Sequence, residues 1–168
     1  IMTSTGIIQD RKIDINQRIE KVFKLCKADV MDKDFASYFP IWDRMTASQQ
    51  ERLASMAEFQ KVKRGTVLHD GSPECMGMLV VRSGQLRAYM LSEEGREVTI
   101  ARFFEMDVCL FSASCVMPNM QFDIFIEAEK DCELWVIPAC LFQNLMDESV
   151  VVANYARDLI SNHFSELM

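Results

Sequence analysis

Histidine is nearly missing from this 168-residue chain, which carries only His69 and His163. A structural zinc site draws four ligands mostly from Cys and His, and no Cys-x-x-Cys pair supplies half of one, so no metal ligand is assigned. Positive charge is also short. The 18 Lys and Arg face 25 Asp and Glu, a net charge of -7. An acidic surface repels phosphate backbones, so these residues are not expected to grip nucleic acid by themselves. No run of about 18 apolar residues is present, so no membrane-spanning helix is expected. Ile1 to Gly6 lack the basic end and apolar centre of a signal peptide. Ser112 and Ser114 lie far in sequence from both histidines and follow nothing like a nucleophile elbow, so no catalytic residue is assigned and the chain reads as a non-enzyme.

What is present is a globular composition, 49% hydrophobic and 26% charged. Six cysteines stand at 26, 75, 109, 115, 132 and 140. Three lie inside apolar runs, and the chain is too rich in core residues to need staples. The expectation is a reducing cytoplasm, with free thiols packed as small hydrophobes.

Residues 1–12 carry no pattern. From Ile13, apolar Ile15, Ile19, Val22, Phe23 and Cys26 recur at helical spacing, which predicts an amphipathic helix ending near Asp29. Its apolar stripe needs a cover, from the main domain or from a partner. Phe35, Tyr38, Phe39, Ile41 and Trp42 cluster around Pro40. Thr46 precedes Gln49 by three residues, the spacing of a capping box at a helix start.

After Phe59 the pattern changes to short apolar or alternating runs between glycines 65, 71, 77, 84 and 95. Met78–Val81 reads as a buried strand. Leu86, Ala88 and Met90 alternate, as do Val98 and Ile100, then Phe122, Ile124 and Ile126. Leu134–Ile137 makes a last strand. Many short strands at regular spacing predict a β-sandwich or β-roll. Pro138 opens a short helix, and a longer one runs from Glu148. On the longer one Ala153, Ala156, Ile160, Phe164 and Leu167 form one stripe, and Val152, Tyr155 and Leu159 an adjacent one. Two apolar sides predict two packing partners, the chain's own β domain and the same helix of a second copy; the alternative is a single broad core face.

The run Lys63-Arg64-Gly65-Thr66-Val67-Leu68-His69-Asp70-Gly71, continued by Leu79–Tyr89 with Gly84 and by Glu94-Gly95-Arg96-Glu97-Val98, resembles the β-roll sensor domain of the Crp/Fnr family of bacterial transcription regulators. The glycines fall where strands reverse, and positive φ is cheap for glycine alone. The resemblance covers about residues 35–168. It implies a mainly β fold with flanking helices, a double-stranded β-helix or jelly-roll-like β-roll, followed by a long C-terminal dimerisation helix. The expected organisation is a leader with an amphipathic helix over 1–34, the cyclic-nucleotide-binding-like β-roll over 35–146 and the dimerisation helix over 147–168. The resemblance implies a homodimer seam formed by Val152, Tyr155, Ala156, Leu159, Ile160, His163 and Phe164. It also implies a small-molecule effector, a cytoplasmic protein away from membranes, and DNA contact only through a C-terminal helix-turn-helix domain. That domain lies outside this chain, which is expected to be the sensor portion of a longer regulator.

Nucleotide-binding members resemble one another in a phosphate cassette: a Gly-Glu pair leading a short helix, and an Arg about ten residues on. An anion needs that cation and free backbone N–H groups. Where Gly-Glu would stand, this sequence has Leu110-Phe111. Where the Arg and its small neighbour would stand, it has Phe122-Asp123, and no Arg or Lys occurs between Phe103 and Glu129. A ligand other than a cyclic nucleotide is therefore expected. The candidate effector pocket is Cys109, Leu110, Phe111, Ser112, Ser114, Cys115, Phe122 and Asp123. Three readings of it compete. The pocket is filled by core side chains. Or it takes a small apolar or aromatic effector, with the two serines and Asp123 as its polar groups. Or it senses redox state through haem or a Cys109/Cys115 thiol pair, although neither thiol has a base nearby in sequence. The iron–sulfur cluster of oxygen-sensing relatives uses four cysteines, three of them grouped near the N-terminus, where this chain has only Cys26. No cofactor is predicted. Two functions outside this reading are a cyclic-nucleotide-binding module of a kinase or channel and a cupin-like β-roll enzyme. The first needs the missing cassette and the second a histidine cluster.

Overall fold

The computed structural model describes residues 35–113 and 123–165. A helical turn over 35–38 leads into a 3-10 turn, Trp42–Arg44. Helix α1 spans Ala47–Met56. Its start is the expected capping box: the Gln49 N–H donates to Thr46 Oγ1 at 3.4 Å, and the Thr46 N–H donates to Gln49 Oε1 at 3.1 Å.

The strands are β1 (Glu58–Val62), β2 (Val67–Asp70), β3 (Met78–Ser83), β4 (Leu86–Leu91), β5 (Glu97–Phe103), β6 (Val108–Cys109), β7 (Phe125–Ala128) and β8 (Cys132–Ile137). Helices α2 (Ala139–Glu148) and α3 (Val150–Ser165) follow. The strands form two antiparallel four-stranded sheets, ordered β1-β8-β3-β6 and β2-β7-β4-β5. This is the expected β-roll.

Side-chain pattern explains the layers. Met78, Leu79, Val80 and Val81 are all fully buried, so β3 is apolar on both faces. Strand β7 alternates instead: Ile126 and Ala128 point into the roll, while Phe125 and Glu127 lie on the other face, half-buried. Phe122, expected to begin that strand, lies outside the described residues, and the strand starts at Phe125. Strand β1 carries little apolar signal because it is an edge whose polar side chains pair across the ladder. Lys61 opposes Glu133 and reaches its carboxylate at 3.0 Å.

Tight turns need their glycines. Gly84, between β3 and β4, has φ +94°, and an added Cβ would collide with the Asp131 carbonyl and lie 2.7 Å from Cys132 Sγ. The Cys132 thiol fits that corner. It accepts the Gln85 N–H at 3.2 Å and lies 3.1 Å from the Lys130 carbonyl, to which it donates.

The aromatic cluster around Pro40 packs on β8. Trp135 meets Phe35 at 5.3 Å, Tyr38 at 5.4 Å and Phe59 at 5.6 Å between ring centres. Phe39 continues the cluster to Tyr155 on α3 at 5.9 Å. Helix α3 is thus clamped to its own domain. Val152 and Ala156 are buried within the chain, and Val151, Tyr155, Leu159 and Ile160 pack against the same core. This corrects the two-sided reading of the helix for Val152 and Ala156, which face the roll and not a second copy. The physical reason is that positions 152, 156, 159 and 163 lie on one side of a helix and that side meets the roll, while Ala153 and Ile160 lie on its flank, partly exposed. The side chain of Phe164 lies outside the described residues.

Candidate effector site

The site is built on the chain leaving β5. Phe103 ends that strand and is buried. The chain then turns sharply through residues 104–107. Asp107 closes the turn: its Oδ2 accepts the Phe104 N–H at 2.8 Å, and its own N–H donates to the Phe104 carbonyl at 3.0 Å. Met106 sits in the turn at φ +72°, a conformation costly for any residue but glycine. Two backbone bonds stitch the turn to β3, Met106 N–H to the Val81 carbonyl at 2.9 Å and Val81 N–H to the Asp107 carbonyl at 3.0 Å.

Strand β6 then pairs with β3, Cys109 opposite Leu79. Cys109 and Leu110 are fully buried and Phe111 nearly so. Burial pushes the Cys109 thiol up to about 12, which leaves it protonated at any physiological pH. Ser112 is fully buried as well. Its hydroxyl donates to the Gly77 carbonyl at 2.5 Å, while its own carbonyl accepts the Met76 and Gly77 N–H groups at 3.0 and 3.2 Å. In the small-effector reading of the pocket, Ser112 is one of the polar groups that meet the ligand. The structure spends that hydroxyl on holding residues 76–77 against the site. Asp123 is exposed and lies beside Gly71, where an added Cβ would meet the Asp123 Cβ at 3.1 Å. Ser114, Cys115 and Phe122 lie outside the described residues. The free-thiol expectation holds for Cys109, Cys132 and Cys140 but fails at Cys75, which is disulfide-bonded.

His163, like Val152 and Ala156, is displaced from the expected seam. Expected at a dimer seam, it instead closes the site from α3. Its ring lies 5.1 Å from Phe103 and 5.2 Å from Phe111, and its Nε2 stands 3.3 Å from the Val108 carbonyl. A carbonyl oxygen only accepts, so Nε2 carries the proton and donates that bond. The signal was available: His163 continues the series Val152, Ala156, Leu159 at spacings of 4, 3 and 4. About two turns earlier, Tyr155 has a buried hydroxyl without a hydrogen-bond partner. Burial first, and then the nearby Asp107 charge, raises its pKa above the ordinary tyrosine value.

The cations of the roll are engaged elsewhere. Arg87 reaches Glu97 at 2.6 Å, Glu127 at 3.1 Å and Thr99 Oγ1 at 2.8 Å, with its guanidinium 4.6 Å over the Tyr89 ring. Arg102 binds Glu129 at 3.0 Å and holds that carboxyl below its usual range, and Arg82 binds Glu133 at 3.2 Å. Each arginine serves a carboxylate across the sheet, which is the ordinary way a partly buried charge is stabilised. Among the described residues no three His, Cys, Asp or Glu side chains gather as a metal site, and no helix is long and apolar enough to cross a membrane.

Comparison with known proteins fits this geometry. The cyclic nucleotide-binding domain family matches residues 59–149. A crystal structure from Eubacterium rectale, described as a transcriptional regulator of the Crp/Fnr family, shares 48% identity at a TM-score of 0.76 over 79% of this chain. This chain spans 61% of that protein. The sensor domain of the transcriptional regulator DNR from Pseudomonas aeruginosa aligns over 80% of this chain and 89% of its own, at 15% identity and a TM-score of 0.63. The regulatory domain of Toxoplasma gondii PKA, solved with cAMP, aligns over 84% of this chain and 51% of its own, at 17% identity and a TM-score of 0.62. These two show likeness of fold alone. No curated protein matches the sequence. The family match over more than half of the chain, with the two-sheet roll and its following helix, places this protein in the cyclic nucleotide-binding domain family, as a β-roll of the Crp/Fnr type.

Proposed function

We propose that this chain is the effector-sensing and dimerising domain of a cytoplasmic Crp/Fnr-type transcription regulator, and that its effector is not a cyclic nucleotide. The observation that carries the reading is chemical. The segment from Phe103 to Glu129 holds no Arg or Lys, and buried Leu110 and Phe111 stand where an anion cradle would be. Arg82, Arg87 and Arg102 are tied to carboxylates, so recruiting one for a phosphate would strand a carboxylate that is only partly exposed.

Coupling follows from contact. An effector entering beside Phe111 displaces its ring from His163, and the displacement reaches α3 without an intermediary. A ligand shifts an equilibrium only by its differential affinity for the two arrangements, and here those are α3 docked and α3 released. The helix in turn carries the dimer contact and, in the full regulator, a DNA-binding domain beyond it. With Val152 and Ala156 turned inward, the contact surface left to a second copy is the flank of α3 that includes Ala153 and partly exposed Leu159 and Ile160.

The test is a thermal-shift titration with cAMP and cGMP, run beside native mass spectrometry of protein purified without oxygen. Millimolar cyclic nucleotide leaves the melting temperature unchanged, and the mass spectrum shows a dimer. A saturable stabilisation at micromolar cyclic nucleotide overturns the ligand reading, because ligand at 100 times Kd adds about 2.7 kcal/mol. A monomer at all concentrations overturns the dimer.

A further inference from the structure

Among the described residues one cysteine is crosslinked. Cys75 is disulfide-bonded, while Cys109, Cys132 and Cys140 are free. A disulfide is out of place in a chain read as a cytoplasmic regulator. Thiol buffers keep cysteines there reduced, and the disulfides that do form are mostly transient, with catalytic or redox-sensing roles. The fold does not need a staple, since one hydrophobic core joins residues from Phe35 to Ala156.

The crosslink sits on the clamp that closes the candidate site. Cys75 is half-buried in the loop between β2 and β3, and its Sγ lies 3.9 Å from the Ser112 carbonyl oxygen. That oxygen accepts the N–H groups of the next two residues, Met76 at 3.0 Å and Gly77 at 3.2 Å. The Ser112 hydroxyl donates back to the Gly77 carbonyl. Gly77 lies so close to β8 that an added Cβ would collide with the Ile137 carbonyl, which gives the clamp a fixed back wall. Ser112 follows Phe111, whose ring lies 5.2 Å from His163 on α3. The buried free thiols offer no such link. Cys109 is fully buried, with its thiol pushed up to about 12, and the Cys132 thiol is bonded to Gln85 and Lys130.

We propose that Cys75 is a redox switch of the candidate site: its disulfide holds residues 75–77 against Ser112, and reduction by a dithiol loosens that clamp. A thiolate of the dithiol attacks the disulfide, the S–S bond breaks and a mixed disulfide forms. The second thiol of the reductant then displaces the chain and closes its own disulfide. The chain gains two electrons and two protons as thiols, and the reductant loses the same. Loosening at Ser112 passes to Phe111 and from there to His163. That last step rests on the docked and released α3 of the proposed function, whereas the switch at Ser112 does not, and neither depends on which ligand the site takes.

The test compares the air-oxidised full chain before and after dithiothreitol, by native-state alkylation and by hydrogen–deuterium exchange. Iodoacetamide leaves Cys75 unlabelled in the oxidised protein and labels it after dithiothreitol. The amides of Met76 and Gly77 then exchange about tenfold faster, while amides of β3 and β8 keep their protection and report an intact roll. Cys75→Ser exchanges like the reduced protein and ignores dithiothreitol, and Cys140→Ser keeps the full response. Labelling of Cys75 without reductant overturns the proposal. So does a disulfide that dithiothreitol leaves intact in the folded chain, which makes it a staple, and so does reduction that leaves amides 76 and 77 unchanged. Faster exchange at 76 and 77 with unchanged amides 159–165 upholds the switch and overturns instead the coupling to α3.

Discussion

Replacing Ser112 by alanine separates two roles for one hydroxyl. As a ligand group, the hydroxyl would matter to effector affinity and hardly at all to folding. As the structure has it, Oγ donates to the buried Gly77 carbonyl, and the variant leaves that acceptor without its partner. The cost of stranding a buried acceptor is about 1–3 kcal/mol. For a chain of this length 1 kcal/mol moves the melting temperature by about 2–4 °C, so Ser112→Ala is expected to melt about 2–12 °C lower. The urea midpoint falls with an unchanged slope, since no large surface is newly exposed. Gly77 supplies the cross-check. It holds φ +117°, and an added Cβ would collide with the Ile137 carbonyl, so Gly77→Ala shifts the same backbone that Ser112 anchors. The two effects share one contact, and the double variant therefore loses less than the sum of the single losses. A Ser112→Ala protein that melts within a degree of wild type refutes the reasoning and returns the hydroxyl to the effector.

Met106→Gly relieves a left-handed backbone and stabilises the fold by about 1 kcal/mol, the reverse of the usual effect of introducing glycine, and a melting curve checks it. Iodoacetamide at pH 8 labels exposed Cys140 in the native protein and leaves Cys109 untouched until the chain is unfolded, as peptide mass spectrometry reads out. The carboxyls of Glu129, Glu133 and Asp131 are held below their ordinary values, chiefly by bonds from Arg102, Lys61 and the Arg64 N–H respectively. A lowered folded-state pKa gives stability that is present above the unfolded value and is lost as pH falls through the folded one. Melting temperature is therefore flat near neutrality and drops below about pH 4. The loss on acidification is smaller in Arg102→Gln, which has already given up its pair with Glu129.

The roll was legible because its strands advertise their faces. Met78–Val81 and Leu134–Ile137 are apolar runs bounded by turns, and Leu86/Ala88 alternate, so the central ladder could be read directly. Strands β1, β2 and β6 were not legible as strands. The first puts polar side chains outward at a sheet edge, the second is an edge strand that buries His69 and exposes Val67, against the apolar-in pattern, and β6 is two residues long and defined by its partner β3. The site was legible as chemistry and not as geometry. The missing cation between Phe103 and Glu129 is a statement about sequence alone. That Ser112 bonds Gly77, 35 residues away, needs the folded backbone, and so does the embrace of His163 by Phe103 and Phe111. Helix α3 misled because periodicity reports which residues share a side and not what that side meets.

His163 also sets the scale of the signal this domain could send. On the proposed reading, an effector that moves Phe111 forfeits one ring contact to α3, and if β6 shifts it forfeits the bond to Val108 as well. An aromatic pair contributes about 0.5–1.5 kcal/mol beyond its buried area, and a neutral hydrogen bond about 0.5–1.5 kcal/mol. The sum, about 1–3 kcal/mol, is the range in which allosteric couplings ordinarily fall. The remainder of the helix stays held by Val152, Ala156 and the Phe39–Tyr155 contact, which the site does not touch. The helix therefore answers the effector at its C-terminal half and stays anchored at its N-terminal half. His163→Phe keeps the rings packed but removes the donor to Val108, and His163→Ala removes both. Exchange of amides 159–165 rises modestly in the first and strongly in the second, while amides 150–156 hold in each. Loosening of both halves together in His163→Ala would show that α3 moves as one rigid body and that His163 is not its hinge point.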